Sequence, residues 1–457
     1  MTIQQNVSDV NPSFLNIPNR IDRLPIFSFH RKALFALAFI YFFEFADLNT
    51  FSFAAPALIK SWGLSVSTVA VITSTTFLGM FIGATFGGWF ADRLGRKKAL
   101  IYSGVFFSLF SMLNALAWDP LSLGIFRCLT GVGLSALTIV ANTYISEVFP
   151  SIVRGKYQGL CITVGLVGIP ITSFISSQVV PIASWGWRLV FVWGALGVIF
   201  LFFMPKFKES PRWLEKHGRH DEAENIMCEI EELAQKKKGA LSNPSKPREI
   251  TSVKSATFSE LFKGKNLKVT ILLILVWIFQ TLGFYGFGSW VPTLLSKQGI
   301  DLSHTLIFST LITVGAPLGA LAGSMISDKI DRKWIITISS TIIAICGLLY
   351  GLTFIPVLII LFGFLVNFIE RIFSSNLYAY NAELFSTEAR ASGSGLSYGV
   401  GRLSNTVGPL LIGAIYTGFG YISVFIFIAL CWFATTVAIG FFGARTKQRH
   451  LEDIHAS

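Results

Sequence analysis

The chain reads as an all-α membrane protein, with twelve transmembrane helices in two pseudo-symmetric six-helix bundles. Three observations carry this. Apolar runs of about 20 residues, the length that crosses ~30 Å of hydrocarbon, recur from residue 32 to residue 443. Only 14% of residues are charged and the mean hydropathy is +0.62, whereas a soluble domain carries about 25% charged residues. Special residues of the first half also return in the second at one constant offset of 236.

The expected spans are 32–58, 67–91, 98–117, 120–147, 155–180, 187–205, 267–293, 303–328, 333–353, 356–383, 390–416 and 421–443. Several exceed 20 residues, so tilt or protruding ends are expected. The chain then divides into an N-terminal segment (1–31), a first bundle (32–205), a hydrophilic insert (206–266), a second bundle (267–443) and a tail (444–457). The insert holds an amphipathic stretch from Pro211 to Gln235 and a tether, NPSKPRE, and is expected to form short helices followed by flexible chain. The first 30 or so residues are polar and lack a short apolar core, so no cleavable signal is expected.

Lys and Arg alternate between loops. Arg93, Arg96, Lys97 and Lys98 follow the second span; Arg154 and Lys156 follow the fourth; Lys329, Arg332 and Lys333 follow the eighth. The intervening loops hold one lysine or none. The positive-inside rule then places both termini and the insert in the cytoplasm, in a plasma (inner) membrane. The net charge of +12 is accounted for by these loops and needs no nucleic-acid partner. The five cysteines are scattered with no CxxC pair, so neither a disulfide framework nor a metal site is expected.

At the 236-residue offset Pro56 meets Pro292, Gly83 meets Gly319, Gly87 meets Gly323, Asp92 meets Asp328 and Arg96 meets Arg332. Tyr144, Glu147, Arg154 and Gly159 meet Tyr380, Glu383, Arg390 and Gly395. Parallel six-helix repeats are one architecture of secondary transporters, with the site at the repeat interface near midplane. GGWFADRLGRKK (Gly87–Lys98) and GSMISDKIDRKW (Gly323–Trp334) place an acid before a basic turn. SEVFPSIVRG (Ser146–Gly155) and AELFSTEARA (Ala382–Ala391) place Glu and Arg seven apart. Asp92, Arg93, Arg96, Glu147, Arg154, Asp328, Arg332, Glu383 and Arg390 are therefore expected to be structural or gating groups, with helix capping or topology as the plainer alternative.

These loops resemble the signature loops of the major facilitator superfamily, and KESPRWL (Lys208–Leu214) resembles an element of its sugar-porter and organic-ion branches. The resemblance covers about residues 30–443 and implies an alternating-access carrier. EFADLNTFSFAAPAL in the first span and GFYGFGSWVPTLL (Gly283–Leu295) in the seventh are similar to proton-coupled niacin and aromatic-acid carriers and to synaptic-vesicle-protein-like chains. Glu44 stands where Asp is more usual in that group. The paired glutamines and PETKG-like tail of sugar porters are missing, and only Gln280 stands in the seventh span.

Glu44 and Asp47 are three apart, on one side of a helix. An ionised acid in hydrocarbon costs several kcal/mol, and two neighbouring ones repel, so protonation can alternate there. They are read as proton-coupling acids, Asp47 first by resemblance, or as a structural hydrogen-bonded pair. Arg127 in FRCLTGVG (Phe126–Gly133) resembles the superfamily's intramembrane arginine and can stabilise an ionised Asp47 or Glu44; the plainer alternative is a snorkelling cation. The adjacent GVGLSA mimics a dinucleotide fingerprint, but it follows no strand and is read as helix packing. In the tenth span Glu370 and Arg371 point about 100° apart and need not pair. Either they face the cavity, Arg371 then anchoring a carboxylate bidentately, or both make interhelical ion pairs. Gln280, Asn367, Tyr285, Trp290 and Tyr378 are candidate polar or stacking contacts.

The expected activity is proton-coupled symport of a small organic acid, an aromatic or other carboxylate, by a monomer in the bilayer, with no cofactor. Proton antiport of organic cations, sugar symport and a receptor-like chain that no longer transports are the alternatives. An enzyme or ATP-driven pump is disfavoured, because there is no HExxH, Walker-A lysine loop or nucleophile elbow.

Overall fold

A computed structural model describes residues 17–242 and 258–446, apart from positions 328 and 387. Asp328, the NPSKPRE tether and the tail beyond residue 446 lie outside the described residues. The described chain is helical, with no strand. The twelve spans are α1 Ser28–Trp62, α2 Val66–Leu94, α3 Arg96–Ala115, α4 Pro120–Val148, α5 Ser151–Val179 and α6 Trp187–Ala195, the last running on as a 3₁₀ helix over Leu196–Lys206. They continue with α7 Gly264–Gly288, α8 in two segments Leu302–Thr313 and Gly315–Ile326, α9 Arg332–Leu352, α10 Pro356–Glu383, α11 Arg390–Phe419 and α12 Tyr421–Phe442.

Local chemistry sets several ends. Asp119 and Ser122 form a reciprocal cap at the start of α4, with Pro120 in the first turn. Ser65 caps α2, and Asp331 caps α9. Two spans expected as continuous are broken. Pro292 cannot donate to the carbonyl of Gly288, so α7 stops there and a short helix restarts at Val291–Lys297. Pro317 likewise leaves the carbonyl of Thr313 without its donor, where α8 is interrupted.

The same pairings recur in both halves. In the first half α2 and α3 pack on α4, and α5 and α6 on α1; in the second α8 and α9 pack on α10, and α11 and α12 on α7. Lipid tails are as apolar as leucine, so helices associate through close van der Waals fit. Glycine provides it at matched positions. A Cβ on Gly83 would stand 2.2 Å from the carbonyl oxygen of Val132, and one on Gly319 would stand 2.0 Å from that of Phe368. Large apolar side chains such as Phe35, Phe86, Phe354 and Phe441 face outward, as expected of a surface solvated by lipid.

The halves meet through α2 against α11 and α5 against α8. Hydrogen bonds that join them lie at the end remote from the basic loops. Ser74 donates to the carbonyl of Thr406, Ser173 to that of Leu306 at 3.3 Å, and Thr310 to Ser173 Oγ at 3.0 Å. At the opposite end Arg96 bridges Glu147 (2.6 Å) and Asp92 (2.7 Å), while Glu209 accepts the first N–H groups of α3 from Arg96 and Lys97. The counterpart pair is Arg332–Glu383. The Tyr144 hydroxyl donates to the carbonyl of Lys208, and the Tyr380 hydroxyl, at the same offset, to that of Ala444.

The amphipathic part of the insert forms helices Pro211–Lys216 and His220–Lys238. A short N-terminal helix, Ile17–Asp22, docks on them, an association with no signal in the sequence reading. Ile17, Ile21, Leu24 and Phe27 pack with Trp213, Leu214, Met227 and Ile230. Buried Arg20 bonds Glu224 (2.5 Å) and Glu231 (2.8 Å), Arg23 bonds Glu231 (2.6 Å), and Asp22 accepts the N–H of Ser151 at the start of α5 (2.7 Å). Burial alone would raise the Glu231 carboxyl, but hydrogen bonds from Arg20 and Arg23 outweigh it and hold the group below its ordinary value.

Two predictions follow from this packing. Gly319→Ala is expected to lose about 1–3 kcal/mol through overpacking against backbone. Gly88→Ala, whose Cβ meets nothing within 4 Å, stays within about 0.5 kcal/mol; equal thermal melting of the two purified variants would refute the seam. Arg20→Ala is expected to weaken docking of residues 17–27 by about 1.5–3 kcal/mol, the worth of charge-assisted hydrogen bonds. It should read as faster amide exchange there at neutral pH. In the unsubstituted protein the Glu231 contribution is complete above the unfolded carboxyl value of about 4.3. It fades as pH falls through the lower folded value, so exchange protection should drop only in that acid range.

Candidate functional site

An open cavity lies where the two halves face each other; its space between atoms, about 600 Å³, includes solvent at the mouth. From the first half α1 lines it with Phe45, Leu48, Asn49, Phe51 and Ser52, α2 with Thr73, Thr76 and Phe77, α4 with Arg127 and α5 with Ile169. From the second half come Phe284, Tyr285, Gly288 and Ser289 at the end of α7, and Arg371 from α10. The wall thus combines aromatic and apolar faces, small polar groups and two guanidinium groups, one from each half.

Arg127 reaches the cavity from a site that is 1% exposed. Its Nη1 lies 3.4 Å from Asp47 Oδ2 and 3.2 Å from Thr50 Oγ1, and its Nε lies 3.3 Å from Thr76 Oγ1. Asp47 is fully enclosed. Its second oxygen, Oδ1, accepts the hydroxyl of Ser111 on α3. Gly194 on α6 makes the room, since a Cβ there would stand 2.2 Å from Oδ1. A carboxylate and a guanidinium removed from water are stable while they keep each other, and removal of either one leaves an uncompensated charge.

Glu44 has different neighbours from Asp47, although both sit on α1. One carboxyl oxygen, Oε2, has no hydrogen-bond partner. The side chain faces Thr138 on α4 and Arg402 on α11. Arg402 bonds the Tyr398 hydroxyl (2.6 Å) and reaches that of Tyr285 (3.5 Å). An arginine inside a glycine-rich membrane helix is a signal the sequence reading passed over.

Glu370 and Arg371, which need not pair by helix geometry alone, are ion-paired at 3.0 Å in the structure. Both side chains are flexible enough to turn along the helix surface, and Glu370 is 1% exposed, with the Ser374 hydroxyl on its other oxygen. The Arg371 guanidinium stands 4.7 Å over the Phe284 ring. Tyr285 lines the cavity edge-on to Phe77. Gln280, Asn367 and Trp290 are buried away from it; Asn367 donates to the carbonyl of Gly363, and Trp290 sits in the apolar core. Tyr378 is half exposed, with its ring against Trp277 and Tyr398. Asn49, Ser52, Thr73 and Thr76 also line the cavity, and no spacing rule marks such small polar residues in advance.

Among the loop charges, Glu147 pairs with Arg96 across the bundle rather than with Arg154 seven residues on. Arg93 lies over the Trp89 ring at 4.3 Å. Arg390 opens α11, and Asp328 is outside the described residues.

A family model described as sugar (and other) transporter matches residues 32–457. The chain is 53% identical over 439 residues to YyaJ of Bacillus subtilis (strain 168), a chain named for an inferred role in metabolite transport, covering 96% of this chain and 97% of that one. It is 28% identical over 443 residues to the niacin transporter NiaP of Acinetobacter baylyi, covering 96% and 100%. A partially occluded inward-open conformation of the Escherichia coli xylose transporter XylE aligns with a TM-score of 0.74 at 17% identity, covering 93% of this chain and 100% of that one. That last likeness carries the fold alone. With its twelve membrane helices and central cavity, the chain belongs to the sugar (and other) transporter family of the major facilitator superfamily and is a multi-pass membrane transporter, not an enzyme.

Proposed function

We propose that this transporter carries a small aromatic carboxylate together with protons, by alternating access. The observation that carries the reading is Arg127 on the cavity wall, paired with the enclosed Asp47. While Asp47 is ionised the pair is neutral and offers an anion little. A proton on Asp47 leaves Arg127 uncompensated, and the cavity gains a positive charge that a substrate carboxylate can neutralise. Anion and proton therefore favour each other's binding. Phe45, Phe77, Phe284 and Tyr285 offer faces and edges for a flat ring. Arg371 supplies a planar fork for the carboxylate. NiaP, similar along its whole length, is named for niacin, itself a small aromatic acid.

The contacts between halves at the end remote from the basic loops make this an inward-facing arrangement, with both termini cytoplasmic by the distribution of Lys and Arg. Arg96–Glu147 and Arg332–Glu383 then act as latches on the cytoplasmic side, with Asp92, Arg93, Arg154, Asp328 and Arg390 in the same loops. The carrier works as a monomer in the plasma membrane, since each chain holds a complete cavity.

In liposomes, Asp47→Asn should lower steady-state accumulation about tenfold for each unit of imposed pH gradient, because one lost proton forfeits about 1.36 kcal/mol per unit. Exchange of labelled for unlabelled substrate without a gradient should persist. Unchanged accumulation would sink the coupling role. Arg371→Ala should raise the substrate KM about 10–100-fold, the loss of a hydrogen bond to a charged group at about 1.5–3 kcal/mol. Arg371→Lys should recover only part of it, for want of the bidentate fork. A KM unchanged in both variants would remove Arg371 from the site.

A further inference from the structure

The second half holds an acid–guanidinium pair of its own. Glu370 is 1% exposed, and its Oε2 lies 3.0 Å from Arg371 Nε without an aligned hydrogen bond. Its Oε1 accepts the Ser374 hydroxyl at 2.5 Å. Arg371 is the charged group that acts on it, and Tyr285 of α7 faces Arg371. The helices packed on α10 add no rival among the described residues. α8 and α9 carry no charged side chain in their middle turns, and Arg402 of α11 is turned to Tyr398 and Tyr285. At the 236-residue offset the pair corresponds to Leu134 and Ser135, so it does not belong to the duplicated scaffold.

Arg371 also lines the cavity. A substrate carboxylate that takes the Arg371 guanidinium removes the countercharge of an acid shut away from water. An ionised Glu370 left alone there is strongly disfavoured, and the response open to it is to bind a proton. The same exchange of partners links Asp47 to Arg127 on the other wall.

We propose that Glu370 is a second proton-carrying group, so that each substrate monocarboxylate crosses with two protons, one on Asp47 and one on Glu370. This rests on the reading of the chain as a proton-coupled carboxylate carrier. Charge balances as follows. In the empty cavity Asp47, Arg127, Glu370 and Arg371 sum to zero. In the loaded cavity two added protons and one monoanion leave a net charge of one positive unit. The protons come from the aqueous side where substrate enters and leave on the other side, as each acid recovers its arginine. The loaded carrier therefore moves charge, and a membrane potential negative inside drives uptake.

The test uses the full chain in liposomes with labelled nicotinate as probe and a valinomycin-set potassium potential. Reversal potentials at fixed pH gradients give the proton-to-nicotinate ratio. The expected ratio is two for the unsubstituted protein. Glu370→Gln should give one, with stimulation by potential lost and a smaller pH-driven accumulation kept. Glu370→Asp, which restores an ionisable group, should return the ratio to two. Nicotinate exchange without a gradient reports whether each variant is folded. A ratio of one in the unsubstituted protein overturns the inference whatever the variants do, and so does a ratio of two in Glu370→Gln. Both results leave proton symport standing. No nicotinate uptake, or uptake without proton movement, removes the symport reading and this inference with it.

Discussion

The contact on which the rest of the structure rests is the close approach of α2 to α4, and of α8 to α10, along glycine seams. In hydrocarbon no water is squeezed out when helices meet, so fit between surfaces has to hold the bundle. Gly79 and Gly83 lie against the carbonyls of Cys128 and Val132, and Gly315 and Gly319 against those of Phe364 and Phe368. Arg127 is the neighbour of Cys128, and Thr76 on the facing helix receives its Nε. Glu370 and Arg371 follow Phe368 by two and three residues. The seam that closes each half thus also sets the height and direction of that half's intramembrane charges.

The seam is shared, while the charges are not. Repeated features, such as Tyr144 and Tyr380 on a following carbonyl or Arg96–Glu147 and Arg332–Glu383, sit at the ends of helices and serve both halves alike. Asp47 with Arg127 and Glu370 with Arg371 occur once each, and their arginines line one cavity, one from each half. On the proposed carboxylate symport, each of these two unlike neutral pairs answers a bound anion by taking up a proton.

The docked N-terminal helix ties the central insert to the start of α5 through Asp22, and Glu209 ties it to the start of α3. Both anchors are carboxylates on helix N-termini, where free N–H groups and the helix dipole favour negative charge. The insert is therefore fastened to the first half at two helix starts. Arg20, enclosed between Glu224 and Glu231, keeps the N-terminal helix on the insert.

Much of the fold was legible from residues 32–443 taken as a string. Span number and the repeat rest on hydropathy and on Gly, Pro and charge at fixed spacing, and the bilayer enforces those rules on every segment independently. Asp47, Arg127 and Arg371 stood out for the same reason, since an ionisable group in hydrocarbon is rare. Partner choice was not legible. Glu44 and Asp47 share a helix side, yet one faces Thr138 and Arg402 while the other is held by Ser111 and Arg127. Likewise Glu147 bonds Arg96, fifty-one positions away, rather than Arg154. A charge announces itself by its transfer cost, which depends on composition alone. Its partner depends on helix rotation and crossing, which are set by packing between segments distant in the chain and become definite only in three dimensions.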